Sequence, residues 1–267
     1  MFELSSHRIA AALAAVAAVA VLAACGSSSK KTDAKLTTAC KADFTIATGF
    51  DKLFNTTPAL QSGKPLTKAQ LPAFQASYDR LVAAPIATLQ KNASPEISPD
   101  VNAAAAAAKN FRDTGDATQI SSPAVQKKTS ALDQFYFGKC SGQKTTIGGI
   151  DYGYTGAKPT YKAGQIRIKF ENKGKEVHEI SLARKKDGVT QSFAQLLKLP
   201  DSQIQPKVDL IGQTDAAPGK TSFLLANLPK GDYIMVCFIP KGTTSPNKQG
   251  KGPPHAFLGM QKEFKVQ

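Results

Sequence analysis

Two kinds of apolar spacing divide this sequence. From about residue 36 to residue 140, apolar side chains recur at intervals of three and four, the period of a helix with one buried face. Thr67 and Gln70 stand at capping-box spacing, and Leu71, Phe74, Tyr78, Leu81 and Val82 follow at helical intervals until Pro85 disturbs the run. Ser98-Pro99 and Ser122-Pro123 each offer an N-cap followed by proline at the first helical position. An alanine-rich helix reaching Phe111 follows the first pair, and a helix with Val125, Thr129, Leu132 and Tyr136 on one face follows the second. With a first helix over about 38–53, four helices are predicted, connected up-down-up-down. From about Thr145 the period falls to two. Ile166, Ile168 and Phe170 share one face of a strand over 165–170, and His178, Ile180 and Leu182 share one face of a strand over 177–182. Further strands are predicted over 208–211, 221–225, 232–238 and 262–266, and a short helix over 190–197, capped by Thr190, is expected to cross a sheet edge. The fold class is therefore two domains, an N-terminal all-α helical bundle followed by an all-β Greek-key sandwich.

The first 24 residues have a different texture. Arg8 precedes an unbroken apolar run, rich in alanine, from Ile9 to Leu22, the layout of an export signal and shorter than the roughly 20 residues of a comfortable membrane span. The ending Leu22, Ala23, Ala24, Cys25 resembles a bacterial lipoprotein cleavage box, which implies that Cys25 is acylated and becomes the first residue of the mature chain. Gly26, three serines, Lys30 and Lys31 then read as a flexible tether over 25–35, able to sit against anionic headgroups. The expected organisation is a signal over 1–24, the tether over 25–35, the bundle over 36–140 and the sandwich over 141–267. Membrane lipid is expected to hold the protein through Cys25 at the outer face of the cytoplasmic membrane.

Charge adds little to this. The chain carries 34 Lys+Arg against 20 Asp+Glu, a net +14. Loss of residues 1–24 removes one base, Arg8, and one acid, Glu3, and leaves the excess unchanged. Such a chain is drawn to anionic surfaces and acidic partners, yet it has no arginine-rich run and no basic patch interleaved with aromatics, so no nucleic-acid partner is expected.

Candidate chemistry collects in the last third. An apolar run from Tyr233 ends on Cys237, and after a polar loop rich in Gly, Pro and Lys come His255 and, five residues on, Met260. Thiolate, imidazole and thioether are the donors a soft transition metal takes, copper above all, and a second histidine would complete a His2Cys site with a weak axial Met. His178 is the candidate. The chain has three histidines; with His7 in the signal, both that remain stand at proposed ligand positions. Phe170, Glu171, Asn172, Lys173, Gly174, Val177, His178 and Glu179, with the 231–237 strand and the His255–Met260 pair, resemble the cupredoxins, the plastocyanin and azurin type of blue copper protein, over about residues 143–267. The resemblance implies one type 1 copper ion held by His178, Cys237, His255 and Met260, in that chain order, and a closing strand over 263–266. It also exposes a departure, because in the plastocyanin-like pattern Cys and the second His are only a few residues apart. Here 238–254 intervenes and is expected to be an insertion whose mobility could let His255 swing off the metal.

Cysteine counting fits the same reading. Of four cysteines, Cys25 is assigned to lipid, and Cys40, Cys140 and Cys237 leave an odd thiol in an oxidising compartment. Other pairings are possible on counting alone, but a Cys40–Cys140 disulfide encloses the whole helical segment and frees Cys237 for the metal. The bundle shows no chemistry of its own, and no catalytic residues are expected anywhere. The sandwich lacks the further histidines of a copper oxidase and a Gly-x-Ser-x-Gly elbow. The expected function is one-electron transfer outside the cytoplasm, with Lys241, Lys248 and Lys251 ringing an exposed His255 edge for an acidic redox or copper-exchange protein. The rival expectations are a copper capture or delivery lipoprotein and a metal-free interaction module of cupredoxin type.

Overall fold

A computed structural model describes residues 29–245 and 247–267. The stretch over 1–24 expected to be an export signal, with His7, and Cys25 lie outside the described residues. The chain divides into two compact units between Ser141 and Gly142.

The first unit is helical: α1 (Ser29–Thr56), a 3-10 turn (Pro58–Ser62), α2 (Leu71–Tyr78), a π turn (Asp79–Ala83), α3 (Ala84–Asn92), α4 (Ser98–Thr114), α5 (Thr118–Ser121) and α6 (Pro123–Lys139). α1 starts at Ser29, so the second part of the stretch expected to be tether is helical, in keeping with its three lysines and its alanine. Pro85 does not end the second helix. Proline lacks an N–H and crowds the carbonyl four residues back, and the chain accommodates it with one wide π turn between α2 and α3. That turn packs tightly on α1, where a Cβ on Gly49 would lie 2.7 Å from Val82 Cγ1. Ser122 caps α6 as its sequence predicts, accepting from Val125 N–H. Ser98 does not cap α4; a turn beginning at Ser94 leads into the helix, and Ser98 is its first residue.

α1 lies along α3, and α4 along α6. Two apolar clusters fill the unit. Phe74, Tyr78, Val82, Leu53 and Phe111 form one, with the Phe111 ring 5.0 Å from Phe74 and 5.8 Å from Phe54. Ala39, Leu89, Val101, Leu132 and Tyr136 form the other, around the disulfide between Cys40 and Cys140, whose Cα atoms are 5.6 Å apart. The bond joins a position about three turns into α1 to the C-cap of α6, because α1 begins earlier than the predicted first helix over about 38–53.

The second unit is a mixed sandwich. Its strands are β1 (Gln143–Ile150), β2 (Gly153–Thr155), β3 (Thr160–Tyr161), β4 (Gly164–Asn172), β5 (His178–Lys185), β6 (Val208–Ala216), β7 (Thr221–Leu228), β8 (Gly231–Val236) and β9 (Gln261–Val266). One sheet runs β2-β1-β4-β7 and the other β3-β9-β8-β5-β6, with β1 parallel to β4 and β3 parallel to β9. Between the sheets lie Ile147, Ile168, Phe170 and Leu224 from one side and Ile180, Leu182, Tyr233, Met235 and Phe264 from the other. β8 is buried on both faces. Tyr233 and Met235 face that core, while Ile234 and Val236 pack under Phe193, Leu196 and Ile204 of α7 (Phe193–Leu196) and α8 (Asp201–Ile204). This is why its sequence reads as a continuous apolar run. The excursion thus covers the outer face of the sheet rather than an edge. Its first helix is capped by Ser192 in a reciprocal capping box with Gln195, not by Thr190.

Candidate metal centre

His178 opens β5, Cys237 follows the last residue of β8, and His255 opens a 3-10 turn (His255–Leu258) that leads to Met260 and β9. Backbone hydrogen bonds tie these segments at one end of the sandwich. Cys237 N–H donates to Met260 O, Ala256 N–H to Cys237 O, and Met260 N–H to His255 O. Glu179 N–H points at Cys237 Sγ, 3.4 Å away. His178, Cys237, His255 and Met260 all have no solvent exposure.

The donor atoms of His178, Cys237 and His255 lie within 4.8 Å of one another, and no other such group occurs among the described residues. His178 Nδ1 is 3.0 Å from His255 Nδ1, and Cys237 Sγ is 3.3 Å from the same His255 atom. The remaining ring nitrogen of each histidine meets a carboxylate: His178 Nε2 stands 2.6 Å from Asp151 Oδ1, and His255 Nε2 stands 2.9 Å from Glu176 Oε2. Burial pushes both acids up, but the hydrogen bonds they accept outweigh it and hold both below the usual carboxylate range. For Asp151 these come from His178 and the Lys175 N–H, and for Glu176 from the Gly242 N–H, His255 and Tyr152.

An ionised carboxylate only accepts, so each Nε2 carries the proton and donates it. The two Nδ1 lone pairs are left facing each other beside the thiol. Burial lowers the pKa of His255, which keeps its imidazole neutral, and burial together with the Glu179 charge pushes the Cys237 thiol up. The thiol has one proton for two bare nitrogens, so hydrogen bonding within the trio leaves an acceptor unmet. A soft metal ion would satisfy all three, and the 3.0 and 3.3 Å separations suit donors bound at roughly 2.0 to 2.3 Å.

Three features differ from the sequence expectation or escape it. The 238–254 insertion is folded over the site: Lys241 N–H donates to Pro253 O, Val177 N–H to Thr243 O, and Gly242 N–H to Glu176 Oε2. His255 therefore has no exposed edge, and the lysines do not ring one; Lys241 instead holds its ammonium 5.7 Å over the Tyr152 ring, itself 4.8 Å from His255. Asp151, Tyr152 and Glu176 were not legible in advance, and the one signal was that Glu176 precedes His178 by two residues, yet it serves His255 instead. Gly174 is the third feature. A Cβ there would collide with Asp151 Oδ1 and His178 Nε2, so the turn that presents His178 needs glycine.

No protein-family model matches the chain, and no curated protein matches it. Among solved structures it is similar to dithionite-reduced auracyanin from the photosynthetic bacterium Roseiflexus castenholzii, at 19% identity over 48% of this chain and 98% of that one, with a TM-score of 0.30. It is similar also to auracyanin A, a "blue" copper protein from the green thermophilic photosynthetic bacterium Chloroflexus aurantiacus, at 18% identity over 46% and 98% with a TM-score of 0.30. Rusticyanin from Thiobacillus ferrooxidans matches at 16% identity over 48% and 79%, with a TM-score of 0.29. At such scores the donor geometry, and not the likeness, carries the reading below.

Proposed function

We propose that this protein is a blue copper electron carrier, with one type 1 copper ion held by His178, Cys237, His255 and Met260. The observation that carries it is the pair of carboxylate-backed imidazoles whose bare Nδ1 atoms meet beside a buried thiol. Copper bound there would supply a one-electron couple. The chain's part is to keep the donors still and dry. His178 and Cys237 are fixed by β5 and β8, His255 by its hydrogen bond to Ile239 O, and the folded 238–254 segment excludes water from the second imidazole. Donors held in one arrangement suit an ion that changes charge with little movement of its ligands, which favours electron transfer over exchange of the metal. The covered His255 argues against rapid copper delivery for the same reason.

The same reading includes acylation of Cys25, a tether at the outer face of the cytoplasmic membrane, and an acidic redox partner drawn to exposed Lys241, Lys248 and Lys251. Transfer rates indifferent to ionic strength, or to replacement of all three lysines by Gln, would remove that partner. The site itself is tested with residues 26–267 loaded with Cu(II) and compared by visible absorption with Cys237→Ser. An intense thiolate-to-copper charge-transfer band that the variant loses supports the proposal. A folded protein without the band refutes it and leaves the interaction module.

A further inference from the structure

The carboxylates behind the two histidines are fixed more firmly than hydrogen bonding to a histidine alone requires. Asp151 also accepts the Lys175 N–H at 3.0 Å, and Glu176 accepts the Gly242 N–H at 2.6 Å and the Tyr152 hydroxyl at 3.0 Å. They come from different segments, Asp151 from the turn after β1 and Glu176 from the turn before β5, which are tied to each other by the same Lys175 and Tyr152 hydrogen bonds, yet each meets a different ring. We propose that Asp151 and Glu176 are positioning residues for the metal: they hold both histidines with the proton on Nε2 and the lone pair on Nδ1, and their two fixed charges favour the oxidised ion over the reduced one.

The proposal rests on the copper reading and names what sets the character of that site. Each carboxylate stands one imidazole ring away from the shared donor face. A fixed negative charge stabilises a doubly charged ion about twice as much as a singly charged one at the same place. Two such charges with the Cys237 thiolate therefore bias the site toward Cu(II). The hydrogen bonds act in the same direction, because an imidazole that donates Nε2–H to an anion is a stronger donor at Nδ1. A carboxylate that only braced the 238–254 segment could be replaced by its amide without electronic consequence, since the amide oxygen still accepts.

The experiment compares residues 26–267 with Asp151→Asn and Glu176→Gln, using the reduction potential and charge-transfer band of the copper-loaded proteins and the 15N imidazole tautomers of the metal-free ones. With the band retained, each amide should raise the potential by at least about 59 mV, a tenfold loss of relative preference for Cu(II), and the double variant should show both shifts. Unchanged or lowered potentials with the band intact overturn the electrostatic role. In the metal-free wild type both rings should carry the Nε2 proton, and Asp151→Ala should release it from His178 while Asp151→Asn keeps it; a proton on Nδ1 alone in both wild-type rings overturns the positioning role. If the wild type gives no copper band, the copper reading has failed, and the tautomers still decide the positioning role. Each acid serves its own histidine, so loss of fold in one variant leaves the other to decide.

Discussion

Cys40 and Cys140 close a loop with a sequence separation of 100 residues, which spans nearly the whole helical unit. In the chain-entropy treatment, opening a loop of that length restores to the unfolded chain freedom worth about 4.7 kcal/mol at 25 °C. The native side gives little back, because Cys140 is buried in the same cluster as Ala39, Leu132 and Tyr136, and two serines there would bring hydroxyls into an apolar setting. Cys40→Ala with Cys140→Ala isolates the loop term more cleanly. With a urea slope of roughly 1–2 kcal/mol/M for a unit of this size, the midpoint should fall by roughly 2–5 M, most of the stability of a unit at the lower end of the ordinary range of about 5–15 kcal/mol. The assay is urea unfolding followed by far-UV circular dichroism, repeated on the wild type with the bond reduced. Amide exchange in β4, β5 and β8 serves as an internal reference, since the sandwich has its own core. A midpoint within about 0.5 M of the wild type in both experiments would refute the reasoning, because the unfolded chain would then already hold its ends together.

Asp51 on α1 gives a pH signature of the opposite kind from an ordinary carboxylate. Burial pushes it up to about 7, so between its unfolded pKa of 3.8 and 7 the folded unit holds a proton that the unfolded chain has lost. Stability therefore declines as pH rises across that window, by at most about 4 kcal/mol at 1.36 kcal/mol per pH unit. Asp51→Asn should abolish the slope and leave the variant more stable than wild type above pH 7; a wild-type stability that is flat or rising from pH 4 to 7 would count against it. Gly174→Ala should displace His178 or Asp151 and weaken or abolish the charge-transfer band while the sandwich stays folded. An unaltered band would mean that the turn moves aside without disturbing the ligand.

Much of the fold is legible in the sequence because it is written locally. The three-and-four spacing of Leu71, Phe74 and Tyr78 and the alternation of Ile166, Ile168 and Phe170 report elements whose burial repeats with their own geometry. β1, β2 and β3 leave no strand pattern in the sequence; β1 combines Gly148 and Gly149 with mixed polar positions and gains its place by pairing with β4, not from its own pattern. The π turn shows the same limit at smaller scale. Pro85 announces a disturbance, but continuation of the helix through it is decided by the packing of Val82 against Gly49.

The sequence by itself singled out the candidate donors, because of three histidines one, His7, falls in the stretch expected to be an export signal, and His178, His255, Cys237 and Met260 form a set with the chemistry of a soft metal. It left the cysteine pairing open on counting alone; the structure pairs Cys40 with Cys140 and leaves Cys237 as the free, buried thiol among the described residues. The tertiary structure alone decided what surrounds those donors. Asp151 reaches His178 across 27 positions and Glu176 reaches His255 across 79, and Gly242 from the inserted segment fixes Glu176 from 66 positions away. Contacts at such separations leave no period in the sequence. They arise because the start of β5, the end of β8 and the turn before β9 meet at one end of the sandwich, where the turn after β1 and the 238–254 segment fold over the site.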